Sequence, residues 1–162
     1  MKIALSTDHA GYAQLQQLQE FLGRLGHECV NFGPAVLDPA DDYPDFIRPC
    51  AEAVASGSCH IGIIWGGSGQ GEAMAANRVK GARCSVYYGP ATAKQPIDAD
   101  GTAAADAYEI LRLARQHNHA NMLSLGARFL TFDEAKQAVA IWLETPYSVV
   151  ERHVRRVSKL DQ

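Results

Sequence analysis

The sequence predicts an α/β fold, a three-layer αβα sandwich around a mostly parallel five-stranded sheet. Three observations lead there. Short apolar runs of strand length alternate with amphipathic helical stretches along the chain, and βαβα alternation of this kind gives a parallel sheet covered by helices on both faces. The run Ile61–Trp65 empties into a glycine-rich loop that opens directly into a helix-forming stretch. The length, 162 residues, suits one domain with a sizeable core, so residues 1–162 are read as a single unit.

Each element follows from its residues. Lys2 to Ser6 reads as the first strand, and Tyr12 to Leu25 as a helix with Leu15, Leu18, Leu22 and Leu25 on one stripe. Gly26 ends that helix. Glu28 to Phe32 is the second strand, followed by a loop rich in Pro and Asp. Pro44 suits the first turn of a helix running to about Ser56. Ile61 to Trp65 is the third strand, and Ala73 to Asn77 continue the helix after its loop. Arg83 to Tyr88 is the fourth. An irregular polar loop with two prolines then runs from Gly89 to about Thr102, before Ala107, Ile110, Leu111 and Ala114 mark a helix leading into Arg115-Gln116-His117-Asn118. Loops of this length in a compact domain are functional, mobile or neutral insertions. Met122 to Leu125 is the fifth strand. Thr131-Phe132-Asp133-Glu134 reads as a capping box opening a helix with Ala135, Ala138, Val139 and Trp142 inward. Pro146 breaks it, and a last helix spans about Ser148 to Leu160.

Composition excludes several classes. A net charge of -3 gives no electrostatic case for nucleic acid or an anionic membrane. No apolar run approaches spanning length, and the first residues turn polar too soon for a signal peptide. Cys29, Cys50, Cys59 and Cys84 form no C-x-x-C pair, so free thiols in a reducing cytoplasm are expected, with Cys29 and Cys84 in the core.

The chemistry concentrates in Gly66-Gly67-Ser68-Gly69-Gln70-Gly71-Glu72. Glycines let the backbone approach a ligand closely, and the amides at a helix start suit an oxyanion or phosphate. Glu72 sets a carboxylate beside that mouth. The plain alternative is a tightened turn with a glutamate that the helix dipole favours. The loop does not match a dinucleotide fingerprint cleanly, and it follows the third strand rather than the first. Because ligands of such sheets bind at the carboxyl ends of the strands, Asp8, His9, Ser68, Glu72 and the residues after strand five are expected at one edge.

Taken in order, Asp8-His9-Ala10-Gly11, Tyr43-Pro44-Asp45, the segment Gly67 to Asn77, His117-Asn118, Gly126-Ala127-Arg128 and Arg152-His153 with Arg156 resemble the ribose-5-phosphate isomerase B family, which includes galactose-6-phosphate isomerase subunits and allose-6-phosphate isomerases. The resemblance covers nearly the whole chain and implies a Rossmann-like sandwich. Many members carry a catalytic cysteine where this chain has Gly66. A second subgroup lacks it and places a glutamate after the glycine loop, as Glu72 stands here. The stretch from about Pro90 to Ile110 is longer than the family usually has.

The resemblance implies an aldose–ketose isomerase of phosphorylated sugars, ribose 5-phosphate to ribulose 5-phosphate, with Glu72 as base of an enediolate mechanism. The alternatives are a hexose-6-phosphate isomerase on the same scaffold and a non-catalytic phosphosugar- or nucleotide-binding module. The amides of Gly67, Ser68, Gly69, Gln70 and Gly71 would receive the oxyanion. Ser68 either bonds or shuttles a proton to substrate, or caps a backbone group. His117 is the candidate for ring opening, with Asp8 and His9 orienting hydroxyls or sharing that step. Asn118 and Tyr43 would line the sugar, and Arg128, Arg152 and Arg156 would grip the phosphate. Family resemblance further implies a homodimer or larger even assembly whose last helix reaches a partner subunit. No cofactor is implied. No metal is expected, since Asp8, His9 and His117 match no standard site.

Overall fold

The run Ile-Gly-Ile-Ile-Trp-Gly from Ile61 to Gly66 forms β3, and every one of its residues is buried. An apolar run without alternation needs cover on both faces, and β3 has it. It pairs in parallel with β1 (Lys2–Ser6) on one side and β5 (Met122–Gly126) on the other. The computed structural model, which describes residues 1–162, adds β2 (Glu28–Asn31) and β4 (Cys84–Tyr87) as the edges of one sheet in the order β2-β1-β3-β5-β4. All four pairings are parallel, so the sheet is wholly rather than mostly parallel.

Six helices cover it: α1 (Tyr12–Arg24), α2 (Tyr43–Ala55), α3 (Gln70–Ala76), α4 (Glu109–Asn118), α5 (Phe132–Glu144) and α6 (Glu151–Val157). Alternation along the strands divides the interior in two. Ile3, Leu5, Ile63 and Trp65 pack with Leu15, Leu18 and Trp142 on one face. Ala4, Ile64 and Met122 pack with Ile47, Ala51 and Val54 on the other. A one-residue slip in register would exchange these sets.

Several expectations change at the margins. Leu25 lies past the last turn of α1 and is exposed, as is Ile110 on the outer side of α4. Cys50 and Cys59 are the fully buried thiols, whereas Cys29 and Cys84 sit on edge strands and are only partly covered. The last helix is shorter than expected because the stretch before Glu151 is held extended. Ser148 gives its carbonyl to His119 Nε2 at 2.8 Å. Arg115 is buried and stacks between the rings of Trp142 and Tyr147, at 4.5 and 4.2 Å from their centroids. Its guanidinium donates to the carbonyls of Thr145 at 3.2 Å and Ala120 at 2.6 Å. The capping box of α5 is present as expected, with Thr131 and Glu134 bonding reciprocally.

At the free edge of β4, the Asn77 side chain donates to the Cys84 carbonyl at 2.9 Å and accepts its N–H at 2.8 Å. Between β4 and α4, residues 88–108 contain no strand or helix. An Ala91 N–H to Ala107 carbonyl bond of 2.7 Å closes this loop at its base. Asp106 clasps Arg112 of α4 with two bonds of 2.8 and 2.7 Å, which hold its carboxyl down at about 2. No helix is long and apolar enough to cross a membrane.

Candidate active site

The carboxyl end of β3 runs into Gly67 and Ser68, and the chain turns into α3 at Gly69, whose φ of +74° favours glycine. The turn is fixed from below: Ser124 of β5 donates to the Gly69 carbonyl at 2.7 Å. Ser68 is exposed, and its Oγ accepts the Gln70 N–H at 3.3 Å, the capping alternative for this serine. The side chain of Arg128, which follows β5, passes over Gly67, and the Arg128 amide donates to the Gly67 carbonyl at 3.1 Å. The Tyr43 ring, from the start of α2, lies against Gly71.

Glu72, three residues into α3, is only 4 % exposed. Its carboxylate turns back onto Gly66, into space that any side chain at position 66 would need. Burial raises its pKa above the usual carboxylate value, and the nearby Asp8 adds to this, while its own backbone amide and His9 oppose it. A buried carboxylate whose pKa is raised suits proton abstraction.

Asp8 and His9 follow β1. Asp8 is buried and caps the short turn His9–Gly11 by accepting the Ala10 N–H at 2.9 Å. His9 Nδ1 lies 2.6 Å from Asp41 Oδ1, which also accepts the His9 backbone N–H at 3.2 Å. Sequence reading missed Asp41; it lies in an acidic loop with no motif to single it out, and only the fold brings it to His9. Asp8, His9 and Asp41 offer ligand atoms within 4.8 Å of one another, but the Asp41 oxygen facing the ring already engages Nδ1. His117 lies apart from these three, so Asp8, His9 and His117 do not form a cluster within the chain.

The remaining candidates gather elsewhere. His117 and Asn118 end α4, which returns from the carboxyl end of β4 to the amino end of β5. Topology therefore sets them at the opposite edge of the sheet from Glu72 in the same chain. There the His117 ring stacks on that of His153 at 4.1 Å. Arg152 Nε donates to His153 Nε2 at 3.2 Å. His117, Asn118, His153 and Arg156 line one cavity. Burial, then His117 and the two arginines, lower the pKa of His153. The structure thus builds two separate clusters: a carboxylate with amides, a His–Asp pair and Arg128 at one edge, and paired histidines with two arginines at the other. Helix α6 packs on α4 of its own chain.

A parallel αβα sandwich with a buried carboxylate beside a glycine loop at its strand ends defines a class of acid–base enzyme acting on small polar substrates. The chain belongs to the ribose/galactose isomerase family, whose model matches residues 3–103 and 98–160. It is similar to ribose-5-phosphate isomerase B of Mycobacterium tuberculosis, 37% identical over 160 residues that cover 99% of this chain and 88% of the relative. Among solved structures it is similar to ribose-5-phosphate isomerase B of Clostridium thermocellum, with a TM-score of 0.84, 36% identity and coverage of 99% and 95%. The Mycoplasma genitalium ribose-5-phosphate isomerase B with bound ribulose 5-phosphate gives a TM-score of 0.82 at 32% identity, covering 98% and 93%. The two matched segments overlap at 98–103, inside the loop between β4 and α4.

Proposed function

We propose that this chain interconverts ribose 5-phosphate and ribulose 5-phosphate through an enediolate, with Glu72 as the base. The observation that carries the reading is the buried Glu72 carboxylate, raised in pKa and folded back against Gly66 at the mouth of the glycine loop. Isomerisation takes a proton from C2, beside the C1 aldehyde, and returns it to C1 while the C2 hydroxyl proton passes to the oxygen on C1, and one carboxylate can remove and return the carbon-bound proton. The enediolate oxygen then faces the amides of the Gly67–Gly71 turn. The family and its ribulose-5-phosphate-bound member support this substrate class.

Ring opening and phosphate binding need groups that one chain holds at its other edge. His117, Asn118, Arg152 and Arg156 therefore complete the site of a second copy, in a homodimer or a larger even assembly. In this reading His117 moves the ring protons, Asn118 bonds a sugar hydroxyl, and the two arginines take the phosphate. No step requires a metal or cofactor.

The test is turnover of ribose 5-phosphate by the purified chain, alongside galactose and allose 6-phosphates, with and without EDTA. Glu72→Gln should lose about 10²–10⁴-fold in kcat, the usual worth of a general base, while still binding substrate. A folded Glu72→Gln variant with near-normal turnover removes Glu72 from the mechanism, and a hexose phosphate as the preferred substrate replaces the pentose assignment.

A further inference from the structure

Asp41 has no sequence motif, yet its carboxylate is spent almost wholly on one residue. Its side chain is 7% exposed. Oδ1 accepts both the backbone N–H and the ring Nδ1 of His9. Oδ2 is buried and has no partner at all. A buried carboxylate with an unmet oxygen is unfavourable unless a cation faces it, and the group facing it is His9. The His9 side chain is itself about one-third exposed, so the bond to Asp41 leaves part of the ring open to solvent.

We propose that Asp41 is a positioning residue for His9: by accepting the Nδ1–H bond it fixes the ring and holds it as the imidazolium, so that Nε2–H is presented as a donor to an oxygen of the substrate. The inference rests on the isomerase reading for the identity of the substrate, but the geometry of the pair stands apart from it. The carboxylate keeps a proton on Nδ1 in both charge states, so the neutral ring leaves Nε2 bare and only the imidazolium donates through it. The same Oδ1 also ties the His9 backbone.

The charges around His9 come from four elements. Asp41 precedes α2 and Asp8 follows β1, and both favour the imidazolium. Glu72 of α3 couples to His9 as well. Arg128, after β5, opposes the positive ring. The hydrogen bond from Asp41 is the largest influence and lifts the His9 pKa above its ordinary value of 6.5. The donor form therefore persists to a higher pH than an isolated histidine would allow, and it is lost as pH rises through the raised value.

Asp41→Asn is the decisive variant, because it keeps the shape and an acceptor for Nδ1 while removing the charge. Nitrogen-detected NMR of the histidine rings should show the His9 midpoint falling by about one pH unit, the usual effect of removing an adjacent opposite charge. The alkaline limb of kcat/KM should move down by the same interval. Asp41→Ala should in addition release the neutral ring from the Nδ1–H tautomer. In a His9→Gln background, Asp41→Asn should have no further effect on kcat/KM. An unchanged His9 midpoint and tautomer in both variants overturns the proposal, as does a uniform loss of rate with an unmoved pH profile. The NMR arms need no turnover, so they decide the positioning role even if ribose 5-phosphate proves not to be the substrate.

Discussion

The Glu72 carboxylate fills the space that a β-carbon on Gly66 would occupy. A side chain at position 66 and a glutamate folded back from position 72 are therefore mutually exclusive. Gly66→Ala should expel the Glu72 carboxylate and depress kcat nearly as much as Glu72→Gln. Overpacking of this kind costs about 1–3 kcal/mol, so thermal denaturation should register a loss. The double variant Gly66→Ala/Glu72→Ala should recover most of that stability but none of the activity. An active Gly66→Ala enzyme would show that the carboxylate works from another position.

The pH dependence of Glu72 has a definite sign. Its folded pKa is raised above 4.5, first by burial and then by Asp8, so between the unfolded and folded values the native chain binds more protons than the unfolded one. Stability contributed at this site is present below the unfolded value and lost as pH rises through the folded one. Glu72→Gln should thus be at least as stable as the parent at pH 7, with the two melting temperatures converging below about pH 4.5. Activity runs the other way, since the base acts ionised: kcat/KM should rise with pH along a limb displaced above that of an ordinary carboxylate. Melting curves and rate profiles across the same buffers check both.

The proposed sharing of one site between two copies makes a complementation test available. The Glu72→Gln and Arg152→Ala variants, each alone, should both be nearly inactive. The arginine variant should lose its grip on phosphate by about 1.5–3 kcal/mol for the charged hydrogen bonds removed. Mixed dimers of the two should regain partial activity, because one of their two sites inherits both intact halves. Verified heterodimers with no recovery would place base and arginine in a single chain.

Arg115 pins the approach to α6 without touching a residue of either cluster by hydrogen bond. Its two carbonyl acceptors and two aromatic faces are interactions whose charged hydrogen bonds contribute about 1.5–3 kcal/mol each. Arg115→Met should lower the melting temperature and loosen residues 145–150, measured by amide exchange. With Lys in its place the charge returns but the planar fork does not, so rescue should be incomplete. Full stability in Arg115→Met would show that the aromatic pair holds the segment unaided.

The loop 88–108 is closed at its base by Ala91 and Ala107 and clasped to α4 through Asp106 and Arg112. Asp98 near its tip is held below the ordinary carboxylate value by bonds from Thr102, with Arg152 contributing at longer range. Excising residues 93–103 should leave the base and the clasp intact. KM, and the preference between ribose 5-phosphate and hexose 6-phosphates, should shift while kcat changes little, because Glu72 and its glycine loop belong to another element. Unchanged preference and KM would make the loop a surface decoration.

The sheet, its helices and the capping box were legible because each rests on local periodicity or a local bond. The glycine loop and Glu72 were legible because they are contiguous. The Gly66–Glu72 exclusion was half legible: the glycine and the glutamate are both visible in the sequence, but nothing local says that the carboxylate turns back six residues to fill the space. Asp41 was invisible, since 32 residues separate it from His9 and only the β1–α2 packing joins them. The burial of Arg115 was hidden for a related reason. In a helix's last turn an arginine ordinarily complements the dipole at the surface, and only the later arrival of Trp142 and Tyr147 encloses it. Leu25 and Ile110 show the reverse error, an apolar residue at the right spacing but past the end of the helix or on its outer side.

Asn77 carries a consequence for how the protein behaves in a crowded solution. An edge strand invites another chain to continue the sheet, because its outward amides and carbonyls await partners. On β4 the outward pair of Cys84 is already satisfied by a side-chain amide that imitates one rung of a neighbouring strand. The ladder is stopped at its first rung on a strand only four residues long. A visiting strand would have to dislodge Asn77 before gaining a foothold, so this side chain guards the folded chain against runaway strand addition.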